Sequence, residues 1–236
     1  MFTTRCHSLR LGLALVAAVG VAAPARSNDA PEKLAPVPRD QLCVTEGTLT
    51  ALPDGDLSVE AAKMRAVMAT TGPRMIEARF LYLGPTAETA PLRSGEVRQQ
   101  FGLKLRASDG CNVIYAMWRF EPRSSLTVSV KSNPGLHTSS ACGNAGYETQ
   151  RPRLTLPVQA PQIGTTHRLT AALNDRTLSV LIDEIPVWEG ELAADALASD
   201  GPVGLRSDNV RLELALTAPP AAAHGSCPRP GAEDED

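Results

Sequence analysis

The chain has 236 residues, a formal net charge of -3 and only 4% aromatic residues. That balance excludes the strongly basic surface a nucleic-acid partner needs, and no apolar run reaches the roughly 20 residues required to span a bilayer as a helix. The length suits one domain with a sizeable core.

At the amino terminus, Arg5 and Arg10 precede an apolar run from Leu11 to Ala23 and the small-residue stretch Ala23-Pro24-Ala25. This pattern predicts a secretory signal peptide over residues 1–25, removed with Cys6 and His7, and hence a secreted or periplasmic protein. No cysteine stands at the end of the apolar run, so a lipid anchor is not expected, and the run is too short for a transmembrane anchor. Pro31, Pro36 and Pro38 mark residues 26–40 as a linker, and the domain is expected over residues 41–217. Residues 218–236, with Pro219, Pro220, an alanine run and the acidic end Glu233 to Asp236, are expected as a solvated tail. Without its signal and tail the domain is nearly neutral.

Strand patterns then recur between turn signals: Thr45 to Leu52, Leu57 to Met68, Met75 to Leu83, Val97 to Arg106, Asn112 to Phe120 and Ser125 to Lys131. After an irregular segment from Ser132 to Thr166 come Arg168 to Leu173, Thr177 to Ile182, Pro186 to Trp188, Val203 to Arg206 and Val210 to Thr217. Only Glu191 to Ser199 looks helical. Many short strands without alternating helices predict an all-β fold, an antiparallel β-sandwich with at most one short helix.

Asp109-Gly110 is a strong two-residue turn signal, and used as one it sets the register of its hairpin. Leu105 then faces Ile114, Leu103 faces Ala116 and Phe101 faces Trp118, with Val97 extending the same side as core. The other face pairs Lys104 with Tyr115, Gly102 with Met117, Gln100 with Arg119 and Arg106 with Val113, with Arg98 beyond. Trp118 is therefore expected inside and Tyr115 on an open face, where Gly102 leaves a bare patch. Arg98, Gln100, Lys104, Arg106, Tyr115 and Arg119 make this face the candidate ligand surface: planar donors and a ring fit sugar hydroxyls, and arginines fit carboxylate or sulfate. A solvated outer sheet face is the plainer alternative.

Four cysteines remain after export, an even number that favours two disulfides. Of three pairings, Cys111 with Cys142 and Cys43 with Cys227 is preferred, since the second ties the ends of a sandwich together. The first would pin the long 132–166 segment beside the cationic face and bring His137 and Tyr147 to it as loop-borne ligand contacts; an inert Ω-loop is the alternative.

The carboxy-terminal third carries the plainest motifs. Leu178 to Trp188 reads as strand, Asp183-Glu184 turn and return strand, and Gly201 to Leu216 as a turn-rich strand leading into strict alternation of Val210, Leu212, Leu214 and Leu216. These segments resemble the closing strands of laminin-G-like and concanavalin-like jelly rolls, including the sandwich of secreted proteins related to 3-keto-disaccharide hydrolases. The resemblance implies a sandwich whose concave sheet binds a saccharide, and in the hydrolase-like branch a saccharide-acting enzyme.

Catalytic signals are sparse. No Glu-x-Asp-x-x-Glu run supplies the paired carboxylates of a sandwich glucanase, no G-x-S-x-G supplies a nucleophile, and His137, His167 and His224 lack metal-site spacing. Glu77 and Asp183-Glu184 read as an outward strand acid and turn residues. No cofactor is expected beyond a possible Ca²⁺ at Asp54 and Asp56 or at Asp208 and Asn209. The expected function is a secreted, non-catalytic module for an extracellular glycan, with a saccharide hydrolase or lyase and an envelope interaction domain as alternatives.

Overall fold

Two antiparallel sheets face each other across an apolar core, in a computed structural model that describes residues 33–220 together with Met1, Phe2 and Cys227. The expected signal peptide beyond its first two residues, and the expected tail beyond Pro220 apart from Cys227, lie outside the described residues. Lys33–Asp236 form one unit by their contacts, and both sheets belong to it.

One sheet runs, edge to edge, β11 (Leu154–Thr155), β14 (Ile185–Glu191), β13 (Thr177–Ile182), β12 (Thr166–Asn174), β6 (Met75–Pro85), β16 (Val210–Ala218), β4 (Leu57–Val59) and β3 (Thr50–Ala51), with β1 (Ala35–Pro36) beside β16. The other runs β10 (Tyr147–Thr149), β9 (Ser125–Lys131), β8 (Val113–Glu121), β7 (Gln99–Leu105), β15 (Gly204–Asp208), β5 (Lys63–Met68) and β2 (Leu42–Glu46). Period-two alternation produces the core directly. Ile76, Ala78 and Phe80 of β6 and Leu212, Leu214 and Leu216 of β16 meet Phe101, Leu103, Ala116 and Trp118 of the opposite sheet. Phe80 lies 4.9 Å from Phe101 and 5.9 Å from Trp118, ring centre to ring centre.

Tight corners carry the chain from one sheet to the other, two of them inside stretches that read as continuous strand. Leu57 to Met68 divides into β4 and β5 at Glu60-Ala61-Ala62. Thr45 to Leu52 divides between β2 and β3, where Gly47 takes φ +71° and a Cβ would fall 2.0 Å from the Lys63 carbonyl oxygen. Asn209, at φ 55°, is the single joint between β15 and β16. Alternation is blind to such corners because each half-strand keeps its own period.

The β7–β8 hairpin has the expected register, with Leu105 opposite Ile114, Leu103 opposite Ala116 and Phe101 opposite Trp118. Its turn is longer than two residues: the ladder stops at Leu105 and Ile114, Arg106 takes φ 50°, and the Ser108 amide donates to the Asn112 carbonyl. Val97 is exposed rather than core. Both expected disulfides are present, Cys43 to Cys227 and Cys111 to Cys142. Within the stretch read as linker, Ala35–Pro36 pair with Ala218 and Thr217, and Val37 enters the core. The 132–166 segment is less irregular than expected, holding a short helix at Ser139–Cys142 besides β10 and β11. The expected helix at 191–199 is a 3-10 turn at Asp195–Leu197.

Candidate functional site

The outer face of the seven-stranded sheet is built by the residues that alternate with the core: Gln100, Gly102 and Lys104 on β7, Tyr115, Met117 and Arg119 on β8, Thr127 and Ser129 on β9, Arg206 and Asp208 on β15. β10 extends this face because Tyr147 pairs with Lys131 and Thr149 with Ser129. A cavity of about 370 Å³ opens on it, lined among others by Arg98, Gln100, Tyr115, Arg119, Tyr147 and Arg206. Five of the eight expected ligand residues, Arg98, Gln100, Tyr115, Arg119 and Tyr147, therefore meet at one place.

Lys104, Arg106 and His137 do not line the cavity. Lys104 is buried opposite Tyr115. Arg106 leaves the sheet at its left-handed φ, and its guanidinium donates to the carbonyl oxygens of Ser199 and Leu197. His137 Nδ1 lies 2.8 Å from Asp109 Oδ2, and Asp109 also accepts from the Cys111 amide and Asn112 Nδ2, so His137 belongs to the fastening of the disulfide loop. Tyr115 corrects a second expectation: it is on the outer face but only 2% exposed, covered by Tyr147 and by the Arg206 guanidinium 5.3 Å from its ring centre. The bare patch expected at Gly102 is filled, since a Cβ there would fall 2.5 Å from Met117 Sδ.

Beneath the cavity lies a buried charge cluster. Asp208, fully enclosed, accepts from Arg65 Nη2 at 2.7 Å, Gln100 Nε2 at 2.6 Å and Arg206 Nε at 3.0 Å. Burial alone would raise its pKa; the neighbouring Arg206 and Arg65 outweigh it and hold the carboxyl far below the ordinary carboxylate range. Asn209 beside it accepts from the Ala90 amide and donates to the carbonyl oxygens of Ala90 and Arg98. That pins the connection between β6 and β7, which supplies Leu92, Arg93, Ser94 and Arg98 to the cavity wall. Asp208 and Asn209, one of the pairs considered for calcium, thus hold these contacts, while Asp54 and Asp56, the other, make a turn whose Asp56 carboxylate takes Arg79 at 2.9 Å. Among the described residues no three His, Cys, Asp or Glu gather as a metal group.

The remaining acids of interest lie on the other sheet. Glu77 is held by Thr170 Oγ1 at 3.0 Å and Arg168 Nε at 3.3 Å, and Arg168 also contacts Glu184. His167 links Thr165 Oγ1, 2.9 Å away, to Asp183 Oδ2, 2.8 Å away, a chain the sequence did not suggest. The Thr165 hydroxyl also donates to the Gln162 carbonyl oxygen at 2.6 Å.

Sequence reasoning missed Arg206, the Leu92-Arg93-Ser94 wall, Asn144 and the hydroxyls of Thr127, Ser129 and Thr149 as neighbours of this cavity. Thr127 and Ser129 were readable as the outward half of β9. The wall was not, because the side chain of Asn209, far along the chain, holds the connection that carries it.

No family model matches the chain, and no curated protein sequence matches it. Among solved structures it is similar to the carbohydrate binding module CBM66 from Bacillus subtilis, at 11% identity and a TM-score of 0.51 over 74% of this chain and 91% of that one. It is also similar to the Emp46p carbohydrate recognition domain (15% identity, TM-score 0.46, 76% and 88% covered) and to a galectin of Caenorhabditis elegans, LEC-6 (10%, 0.40, 77% and 98%). The fold is that of the concanavalin-like jelly-roll sandwich.

Proposed function

We propose that this chain is a secreted, non-catalytic saccharide-binding module and that the outer face of its seven-stranded sheet is the binding surface. The cavity on that face carries the reading: a ring, Tyr147, 39% exposed, stands beside guanidiniums, Gln100 and the hydroxyls of Thr127 and Ser129. A ring edge with planar donors and hydroxyls around it suits a sugar, which presents an apolar C–H face and a belt of hydroxyl groups. No carboxylate stands among the described residues lining the cavity, whereas acid-catalysed glycoside cleavage needs two of them about 5 to 9.5 Å apart. The likeness of fold to a carbohydrate binding module agrees with this reading. Two disulfides suit an oxidising compartment, and no helix among the described residues is long and apolar enough to cross a membrane.

The test is a screen of the purified disulfide-bonded protein against neutral and acidic glycans, with reducing-sugar release followed in parallel. Binding without release is the expected result. Release of reducing ends would make the protein a hydrolase, and absence of binding across the panel would leave an envelope interaction domain.

A further inference from the structure

The cavity is lined by four arginines, Arg93, Arg98, Arg119 and Arg206. Two have fixed duties: Arg206 is matched by Asp208, and Arg93 donates to the Ser139 carbonyl oxygen at 3.1 Å. Arg98 and Arg119 differ, because they share one carboxylate, that of Glu96. Glu96 Oε2 accepts from Arg98 Nη2, and its Oε1 lies 3.9 Å from Arg119 Nη1. The Nε–H groups of both arginines are buried and meet no acceptor. Burial, then the charge of Arg98, pushes the Arg119 guanidinium below its ordinary pKa.

A guanidinium offers donors in a planar fork that carboxylate and sulfate match with two oxygens at once. Glu96 uses only part of two such forks, and as a side chain of the β6–β7 connection it remains 38% exposed. We propose that an acidic group carried by the saccharide, a carboxylate or a sulfate, seats between Arg98 and Arg119, and that Glu96 is an internal competitor holding the same guanidiniums when no ligand is present. This rests on the saccharide-binding reading and adds the ligand's charge, its anchoring pair and a device that keeps the pair in order. Binding then exchanges Glu96 for the ligand's oxyanion, so Glu96 sets a threshold that neutral sugars do not profit from overcoming.

The experiment is calorimetric titration of the full disulfide-bonded chain with matched pairs: an oligogalacturonide against its methyl ester, and a sulfated oligosaccharide against its desulfated form. At least one acidic member should bind about tenfold or more tighter than its neutral partner, the worth of one charge-assisted fork. Whether the carboxylate or the sulfate pair shows the preference tells which oxyanion is used. Arg119→Gln should weaken the acidic member far more than its neutral partner and so collapse the preference, and Arg119→Lys should recover little of it, because an ammonium cannot fork. Glu96→Gln, a change at a partly exposed side chain, should tighten acidic binding several-fold. Equal binding of acidic and neutral members overturns the oxyanion seat and leaves the saccharide reading standing, and weaker acidic binding in Glu96→Gln overturns the competitor. A protein that binds no member of either pair or of the wider panel overturns the saccharide reading, and this inference with it.

Discussion

Tyr115 and Tyr147 stack with ring centres 6.2 Å apart and planes 22° apart, one on β8 and the other on β10 at the sheet edge. The pair assigns separate roles to two residues that sequence alone offers as equals. Tyr147 is the wet ring, with Lys131 Nζ 5.0 Å from its centre, and Tyr115 is the buried ring that supports it within an outer apolar cluster of Cys43, Val67, Ala107 and Val113.

Tyr147→Ala should therefore weaken glycan binding and leave stability nearly unchanged. Tyr115→Ala should lower stability as well, and Trp118→Ala should cost most, about 3 to 5 kcal/mol, because that ring fills the main core. Urea denaturation of the three variants measures the order. A Tyr147→Ala variant that unfolds as readily as Trp118→Ala would break the division of roles.

Asp208→Asn should destabilise the domain by about 3 to 5 kcal/mol at neutral pH, since Arg65 and Arg206 would keep their burial without a counter-charge. The pH dependence has a definite sign. The carboxyl titrates far below its unfolded value of about 3.9, so its contribution is whole above about pH 4 and fades as the pH falls through the folded value. Stability curves for wild type and Asp208→Asn should run apart from neutral pH down to about pH 4 and converge in stronger acid. Curves that stay parallel through strong acid would show that the anion is not what the arginines need.

Loss of the Cys111 to Cys142 bridge, which closes 31 residues, should cost about 4 kcal/mol on the chain-entropy account, and loss of Cys43 to Cys227, which closes 184, about 5 kcal/mol. Only the first should also weaken binding, because Asn144, two residues past Cys142, lines the cavity. Thermal melts and titrations on Cys111→Ser/Cys142→Ser and Cys43→Ser/Cys227→Ser proteins separate the two effects. Equal losses of affinity would mean that the loop does not shape the site.

Much of this sandwich was readable because strands with one buried face write their period into the sequence. Val210 to Leu216 and Phe101 to Leu105 placed themselves, and a strong turn signal fixed the Phe101 to Trp118 pairing even though the turn itself is longer. The candidate site was readable only as a face. Alternation tells that Tyr115 and Gln100 point away from the core, but not that β10 and the β6–β7 connection fold over them. Arg106 misled for a local reason: its positive φ ends the strand one residue early and sends the guanidinium to Ser199 and Leu197. The expected cationic stripe comes apart: Gln100 joins Arg65 and Arg206 in a buried network around Asp208, an arrangement that needs β15 between β7 and β5, while Arg98 and Arg119 line the cavity.

In the proposed function this face binds a saccharide through residues brought together on β8 and β10. The most direct measurement is a titration of the best-bound glycan into wild type and into a Tyr147→Ala/Arg119→Ala double variant, with melting temperatures recorded on both. Measurable affinity is expected in the wild type, and its loss in the double variant at a nearly unchanged melting temperature. A double variant that binds the glycan as tightly as wild type would contradict it.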